Sequence, residues 1–226
     1  MSALAKDPTL HLEAEFISAG ARLVIGIDEV GRGAVAGPVA VGAHAVLAGT
    51  ETFPEGLRDS KLLSEKRREA LAPLVAEWGA GAVGYASAEE IDARGITAML
   101  GEAARRALLI LHGAGVAVEQ AVVLLDGSHD WLSPALRSPL DVRVKVGADR
   151  ACASVAAASV RAKVDRDTIM REAHLEHPFY CWESNKGYGS KAHYAGIAEH
   201  GLTELHRHTW IKRSVGGARV TDEVTR

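Results

Sequence analysis

The chain has 226 residues, 47% hydrophobic and 24% charged, with a formal net charge of −3. That is enough chain for one good core and the make-up of an ordinary globular domain; no apolar run approaches a membrane span, and the slight negative charge argues against a protein that coats nucleic acid without selection. The N-terminus lacks a long apolar stretch, so no signal peptide is expected, and Cys152 and Cys181 lie far apart in no metal-like spacing, as free thiols of a cytoplasmic protein.

Residues 1–20 are mixed, with 18–20 reading as a loop. The run Leu23-Val24-Ile25-Gly26-Ile27 predicts a buried strand, and it ends in two adjacent acids, Asp28 and Glu29, followed by Gly31-Arg32-Gly33. Neighbouring strand residues point to opposite faces, so these acids serve one site only if the chain turns there; Gly31 and Gly33 supply the turn and leave backbone open to a ligand. The plain alternative is a solvated acidic turn. Gly37 to Leu47 predicts a second strand, joined to the first by a tight glycine-rich turn as an antiparallel pair. Ser64 is the expected N-cap of a helix that ends near Trp78 and Gly79, with Arg67 where a capping box would have Glu. Gly81 to Ala86 predicts a third strand, and Ala88 to His112 a helix with weak points at Gly95 and Gly101, stopped by Gly113 and Gly115.

Ala121 to Leu125 predicts a strand that again ends in an acid, Asp126. Val142 to Val146 predicts a short strand closed by Gly147-Ala148-Asp149, and Cys152 to about Arg171 a helix whose small residues imply close packing on a sheet. A loop at Pro178 to Gly189, short helices around His193–His200 and Thr203–His208, and a polar tail from Val215 complete the reading. Hairpin strands followed by alternating strands and helices give a single α/β domain with a mixed sheet.

Three predicted strand ends thus present acids: Asp28 with Glu29, Asp126, and Asp149. Like charges ~4 Å apart cost ~4 kcal/mol at an effective dielectric near 20, so such a cluster persists only if protonated or bound to cations. Carboxylates suit Mg²⁺ or Mn²⁺, and no Cys or His grouping suits zinc. Basic groups surround these acids in the sequence: Lys61 with Lys66, Arg67 and Arg68; Arg161 with Lys163 and Arg166; Lys186 and Lys191 about a Gly-Tyr-Gly. Cations beside metal-binding acids fit a phosphodiester substrate, although each basic group alone reads equally as a solvated helix face.

Taken together, Asp28-Glu29-Val30-Gly31-Arg32-Gly33, Asp59-Ser60-Lys61, Leu125-Asp126-Gly127, Ala148-Asp149, Ala157-Ala158-Ser159-Val160-Arg161-Ala162-Lys163-Val164-Asp165-Arg166-Asp167 and Asn185-Lys186-Gly187-Tyr188-Gly189 resemble bacterial ribonuclease HII, in order and over most of the chain. The resemblance implies a ribonuclease H-like fold, a mixed five-stranded sheet flanked by helices over about 21–175, with a helical C-terminal part over about 176–213 and a polar tail at 214–226. It implies cutting of the RNA strand of RNA–DNA hybrids and cutting 5′ of single ribonucleotides in duplex DNA, with Mg²⁺ or Mn²⁺; a monomer is the default expectation. It assigns Asp28, Glu29, Asp126 and Asp149 as the catalytic metal ligands, with Asp167, deep in a predicted helix, better suited to a salt bridge. Gly31, Arg32 and Gly33 would meet the 2′-hydroxyl and its phosphate, Tyr188 would pack on the sugar of the following deoxynucleotide, and Lys61, Ser159 and Lys163 would contact phosphates or serve the fold. Leu62, Ala148 and Ser128 depart from the family's usual Lys, Gly and Asn. Asp130 reads as a loop residue, and His200, His206 and His208 as solvated or capping residues rather than metal ligands. Two other readings remain: a noncatalytic nucleic-acid-binding module on the same fold, and ribonuclease HIII, whose usual extra N-terminal domain would not fit in the roughly twenty residues before Asp28. The tail has no aromatic pair to argue for a sliding-clamp contact.

Overall fold

A computed structural model describes residues 7–211. Five strands form one mixed sheet in the order β3-β2-β1-β4-β5: β1 (Leu23–Val30), β2 (Val39–Leu47), β3 (Gly81–Ala86), β4 (Ala121–Asp126) and β5 (Asp141–Lys145). The pairs β1–β2 and β2–β3 are antiparallel, whereas β1–β4 and β4–β5 are parallel. The expected mixed five-stranded sheet and its antiparallel first pair are therefore present, and β3 has the predicted bounds.

Both faces of the central strand are covered, which is why β1 reads as continuously apolar. Leu23, Ile25 and Ile27 join one core cluster with α4 (Ile96–Gly113), through Met99, Leu100 and Ala103. On the other face Val24 packs with Val155 of α6 (Ala153–Glu176). The small residues of α6 do bring it close. A Cβ on Gly26 would lie 2.3 Å from the backbone carbon of Ser154, and one on Gly42 would lie 2.2 Å from the Ala158 carbonyl oxygen. The helix α1 (His11–Ser18), which the mixed sequence of 1–20 did not suggest, adds a buried anchor. Glu13 accepts hydrogen bonds from the Ser154 N–H at 2.9 Å and hydroxyl at 2.7 Å, a carboxylate placed at the start of α6 where unpaired N–H groups favour one.

Local signals were followed where they were strong. Ser64 caps α2 (Glu65–Trp78) by accepting the Arg67 N–H. Gly95, at φ +80°, divides the expected long helix into α3 (Ala88–Arg94) and α4, and Gly101 stays inside α4, where Trp131 and Ala135 crowd it. Other expectations are corrected. Residues 31–38 are not a tight turn but a longer segment that pairs at Ala36 with His206. Asp149 sits on α5 (Ala148–Ala151), one turn of helix, not on a strand end, because β5 stops at Lys145 and Gly147 reverses the chain at φ +70°. α6 runs on to Glu176, the 178–189 loop contains α7 (Trp182–Asn185), and only the first of the two final helices exists, α8 (Lys191–His200). The stretch Thr203–His208 is irregular and precedes a 3-10 turn at His208–Trp210. The tail from Val215 lies outside the described residues.

Cys152 is buried, and burial, with Glu13 adding, pushes its thiol up to about 12. Cys181 is partly exposed. A thiolate-directed reagent on the native protein should therefore label Cys181 and spare Cys152. Peptide mass spectrometry reads this directly, and equal labelling of both would contradict the packing.

Candidate active site

Strand β1 stays regular through Val30, with Asp28 opposite Gly42 and Glu29 opposite Val41 on β2. Alternation therefore places Asp28 on the α6 face and Glu29 on the other. The expectation that the chain must turn for both acids to share a site is not met. What they share is a neighbour: β4 ends beside them at Asp126, whose charge raises the proton affinity of both.

Asp28 is 1% exposed. Its Oδ1 accepts the Glu29 N–H at 2.8 Å, and its Oδ2 is buried without a hydrogen-bond partner. Burial pushes its pKa up to about 8; Ser159 and Lys61 pull it back, while Glu29 and Asp126 add to the rise. Glu29 is also raised, chiefly by burial, against the opposing effect of Arg32, whose Nη1 lies 3.4 Å from Oε1. Asp126 Oδ1 accepts the Ala148 N–H at 2.7 Å, which ties β4 to the start of α5. Asp149 is raised by burial and by Asp126 and Asp59. Asp126 thus acts on each of Asp28, Glu29 and Asp149, but among the described residues no group of three or more acid, His or Cys side chains is placed to hold a metal ion.

Lys61 is the counter-charge. Its ammonium lies 3.3 Å from Asp149 Oδ2. Burial works against its charge, but Asp28, Asp59 and Asp149 outweigh that and raise its proton affinity. The 3-10 turn at Ser60–Leu62 that presents Lys61 is capped by Asp59, which accepts the Lys61 N–H at 2.9 Å and also meets Arg150 at 3.4 Å. Ser159 sits behind Asp28, fully buried, donating to the Ser60 hydroxyl at 2.8 Å. The sequence reading gave Asp59, Ser60 and Arg150 no roles, although the first two lie in a quoted motif. Lys163 instead closes on Asp167 at 2.7 Å, one helical turn on, and Asp167 also faces Arg68 at 3.8 Å, the salt-bridge role expected of it.

Gly31 adopts φ +82°, and Arg32 and Gly33 are exposed. Among the described residues the N–H groups of Arg32 and Gly33 donate no hydrogen bond. Tyr188 is 38% exposed, with the Arg166 guanidinium 5.5 Å from its ring centre. Asp130 is a loop residue, accepting the Leu132 and Ser133 N–H groups. His208 is exposed, with Nε2 2.9 Å from the Thr203 carbonyl, and His200 stacks on Phe179. Of the solvated or capping roles expected for His206, solvation is corrected: it is fully buried, its Nδ1 accepting the Thr203 N–H and its Nε2 3.2 Å from His193. A cleft of about 370 Å³ lies beside Leu23, at the far end of β1 from Asp28, and none of its lining residues is acidic.

The ribonuclease HII family model matches residues 25–213. The chain belongs to the ribonuclease HII family. It is 46% identical to the Streptomyces avermitilis ribonuclease HII over 90% of this chain and 84% of that one. It is 43% identical to the Paracoccus denitrificans ribonuclease HII over 90% and 91%. The ribonuclease HII in the Archaeoglobus fulgidus complex with PCNA superposes with a TM-score of 0.58 at 27% identity, covering 86% of this chain and 98% of that one. Bst-RNase HIII in complex with Mn²⁺ shares the fold with a TM-score of 0.67 at 23% identity, over 92% and 72%. Family membership makes the chain a ribonuclease H enzyme. No described helix is long and apolar enough to cross a membrane.

Proposed function

We propose that this chain is a divalent-metal-dependent endoribonuclease that cuts the RNA strand of RNA–DNA hybrids. It also cuts 5′ of single ribonucleotides in duplex DNA, leaving 3′-hydroxyl and 5′-phosphate ends. The observation that carries the reading is Asp28, a carboxylate 1% exposed, with one oxygen unpartnered, beside three further acids whose charges reach it or one another. A buried oxygen of this kind is costly unless something cationic completes it. The donor set fits the ions proposed: all four side chains are carboxylates, which suit Mg²⁺ or Mn²⁺. Asp28, Glu29, Asp126 and Asp149 would hold them. Bound there, such ions supply Lewis-acid polarisation of the phosphodiester and activation of the attacking water.

The rest is the work of the chain's own residues. The Ser60–Ser159 hydrogen bonds tie the turn that carries Lys61 to α6, with Ser159 beside Asp28. Lys61, with its side chain 61% exposed and drawn to Asp149, is placed to meet a substrate phosphate. The N–H groups of Arg32 and Gly33, which donate to no described residue, offer donors to a ribose 2′-hydroxyl and its phosphate, contacts that DNA lacking the hydroxyl cannot complete. Tyr188 offers a face for the sugar on the DNA side of the junction. The enzyme acts as a monomer in the cytoplasm on this reading.

A long labelled hybrid with Mg²⁺ or Mn²⁺, followed by chelator, tests the reaction class. Cutting in the RNA strand alone that stops with chelator is the expected result. Tight binding without cutting would favour the noncatalytic module, and cutting that persists in chelator would remove the metal role. Tyr188→Ala should lower kcat/KM on a single-ribonucleotide duplex by about tenfold or more relative to the hybrid, the value of one aromatic packing contact. An equal loss on both substrates would make Tyr188 a structural anchor.

A further inference from the structure

Arg166 and Arg207 are both fully buried, and among the described residues neither pairs with a carboxylate. Main-chain carbonyls satisfy them instead. Arg207 donates to Gly31 O at 2.7 Å, Arg32 O at 2.8 Å, and Gly37 O at 3.2 Å and 3.3 Å. Arg166 donates to Pro38 O and Lys186 O at 2.8 Å and to Ala36 O at 3.1 Å.

The two guanidinium groups thus grip the 31–38 segment from below, and Arg166 reaches across to the 186–188 segment. Its guanidinium lies under the Tyr188 ring, while a Cβ on Gly31 would fall 2.0 Å from its Nε. One side chain is wedged between the glycine turn and the aromatic. Backbone bonds complete the seam: Val35 and Ala36 N–H to Gly187 O at 2.9 Å and 3.0 Å, Gly37 N–H to Leu205 O at 2.7 Å, and Arg207 N–H to Val35 O at 2.8 Å.

Burying two cations in one region is expensive. Burial lowers the proton affinity of Arg207, and the charge on Arg166 lowers it further. A core that needed only filling would be served by apolar side chains. What a guanidinium adds is a planar fork of donors in fixed directions, able to hold several carbonyls at set separations.

We propose that Arg166 and Arg207 are positioning residues for junction recognition: they set the separation between the Gly31–Gly33 turn and Tyr188 without touching the substrate. This rests on the junction reading given under Proposed function. Asp126 and Asp149 are anchored apart from the seam, through β4 and α5, and Glu29 meets it only through the exposed Arg32 side chain at 3.4 Å, so errors in this seam reach substrate choice before they reach the hydrolytic centre.

The test compares kcat/KM on a single-ribonucleotide duplex with kcat/KM on a long hybrid, corrected for folded fraction by circular dichroism. Arg207→Lys keeps the charge but cannot span the Gly31, Arg32 and Gly37 carbonyls. Val75→Ala, in the apolar cluster between α2 and α6, is a destabilised control remote from the seam. Arg207→Lys is expected to lose about a hundredfold on the single-ribonucleotide substrate relative to the hybrid, the scale of a misplacement near 1 Å. Val75→Ala should leave that ratio unchanged. Equal loss on both substrates with Arg207→Lys, or an unchanged ratio, would overturn the proposal. Should Arg207→Lys not fold, Arg166→Lys, which leaves the Arg207 contacts in place, decides by the same ratio. Wild-type enzyme that cuts hybrids but ignores the single ribonucleotide would overturn the junction reading itself, a result seen before any variant is made.

Discussion

Replacing Asp28 with asparagine is expected to abolish cleavage while making the metal-free protein more stable at and above neutral pH. The two effects have one origin. Asp28 is buried to 1% exposure, and burial raises its pKa from 3.8 to about 8. Between those values the folded state holds a proton that the unfolded state has lost. Stability of the metal-free wild type therefore falls as pH rises from about 4 to about 8, then levels off. At ~1.4 kcal/mol per pKa unit, the penalty at pH 8 is on the order of several kcal/mol. Asparagine carries no charge and keeps the Oδ1 that accepts the Glu29 N–H. Part of the gain is offset because its amide group occupies the place of the unpartnered Oδ2. Thermal melts from pH 5 to 9 in chelator should show the wild type losing more stability up to about pH 8 than Asp28→Asn, which keeps only the smaller fall due to Glu29 and Asp149. Activity should fall by about a thousandfold or more, the loss of an interaction worth several kcal/mol to the transition state. Parallel melting curves would mean that Asp28 is not the strained acid of the site.

Gly26→Ala is expected to cost ~3 kcal/mol or more and to lower soluble yield. The added methyl meets only backbone: the Ser154 carbon at 2.3 Å, the Val155 nitrogen at 2.4 Å and the Ser154 oxygen at 2.7 Å. No side chain can swing aside, so relief requires α6 to lift from β1, beyond the usual cost of overpacking. The lift would also draw Ser159 away from Asp28, two residues along the same strand face. Gly33→Ala is the comparison, since nothing lies within 4 Å of its added Cβ. Denaturant melts of the two variants should differ by nearly the whole effect, and equal stability would show that α6 is not seated as described.

The sheet was legible in the sequence because its signals are local. Branched apolar runs ended by Asp28 and Asp126 mark β1 and β4, and glycines punctuate β3, α3 and α4 where the chain breaks. The acids were legible as a set because each lies in a short motif. Their geometry was less so. Asp149 reads as a strand end because Gly147 could close a strand or open a helix turn, and only packing of α5 against α6 decides. Glu29 reads as needing a turn because strand parity is local, whereas the acid that acts on both it and Asp28, Asp126, is placed by where β4, far along the chain, stops. The Arg166–Arg207 seam had no signal of its own. Its partners are carbonyl groups, which every residue has, and they lie up to 176 positions away. His206, likewise, reads as solvated or capping in a polar stretch and is buried by contacts with Tyr180 and Trp182.

The most direct measurement uses a DNA duplex with one embedded ribonucleotide, end-labelled on that strand and incubated with enzyme and Mn²⁺ or Mg²⁺. An all-DNA duplex and Asp28→Asn are run beside it. A single cut on the 5′ side of the ribonucleotide, leaving a 3′-hydroxyl and lost with chelator or with Asp28→Asn, is the predicted result. Undiminished cutting by folded Asp28→Asn, or cutting of the all-DNA duplex at the same rate, would contradict an Asp28-centred site that reads the 2′-hydroxyl.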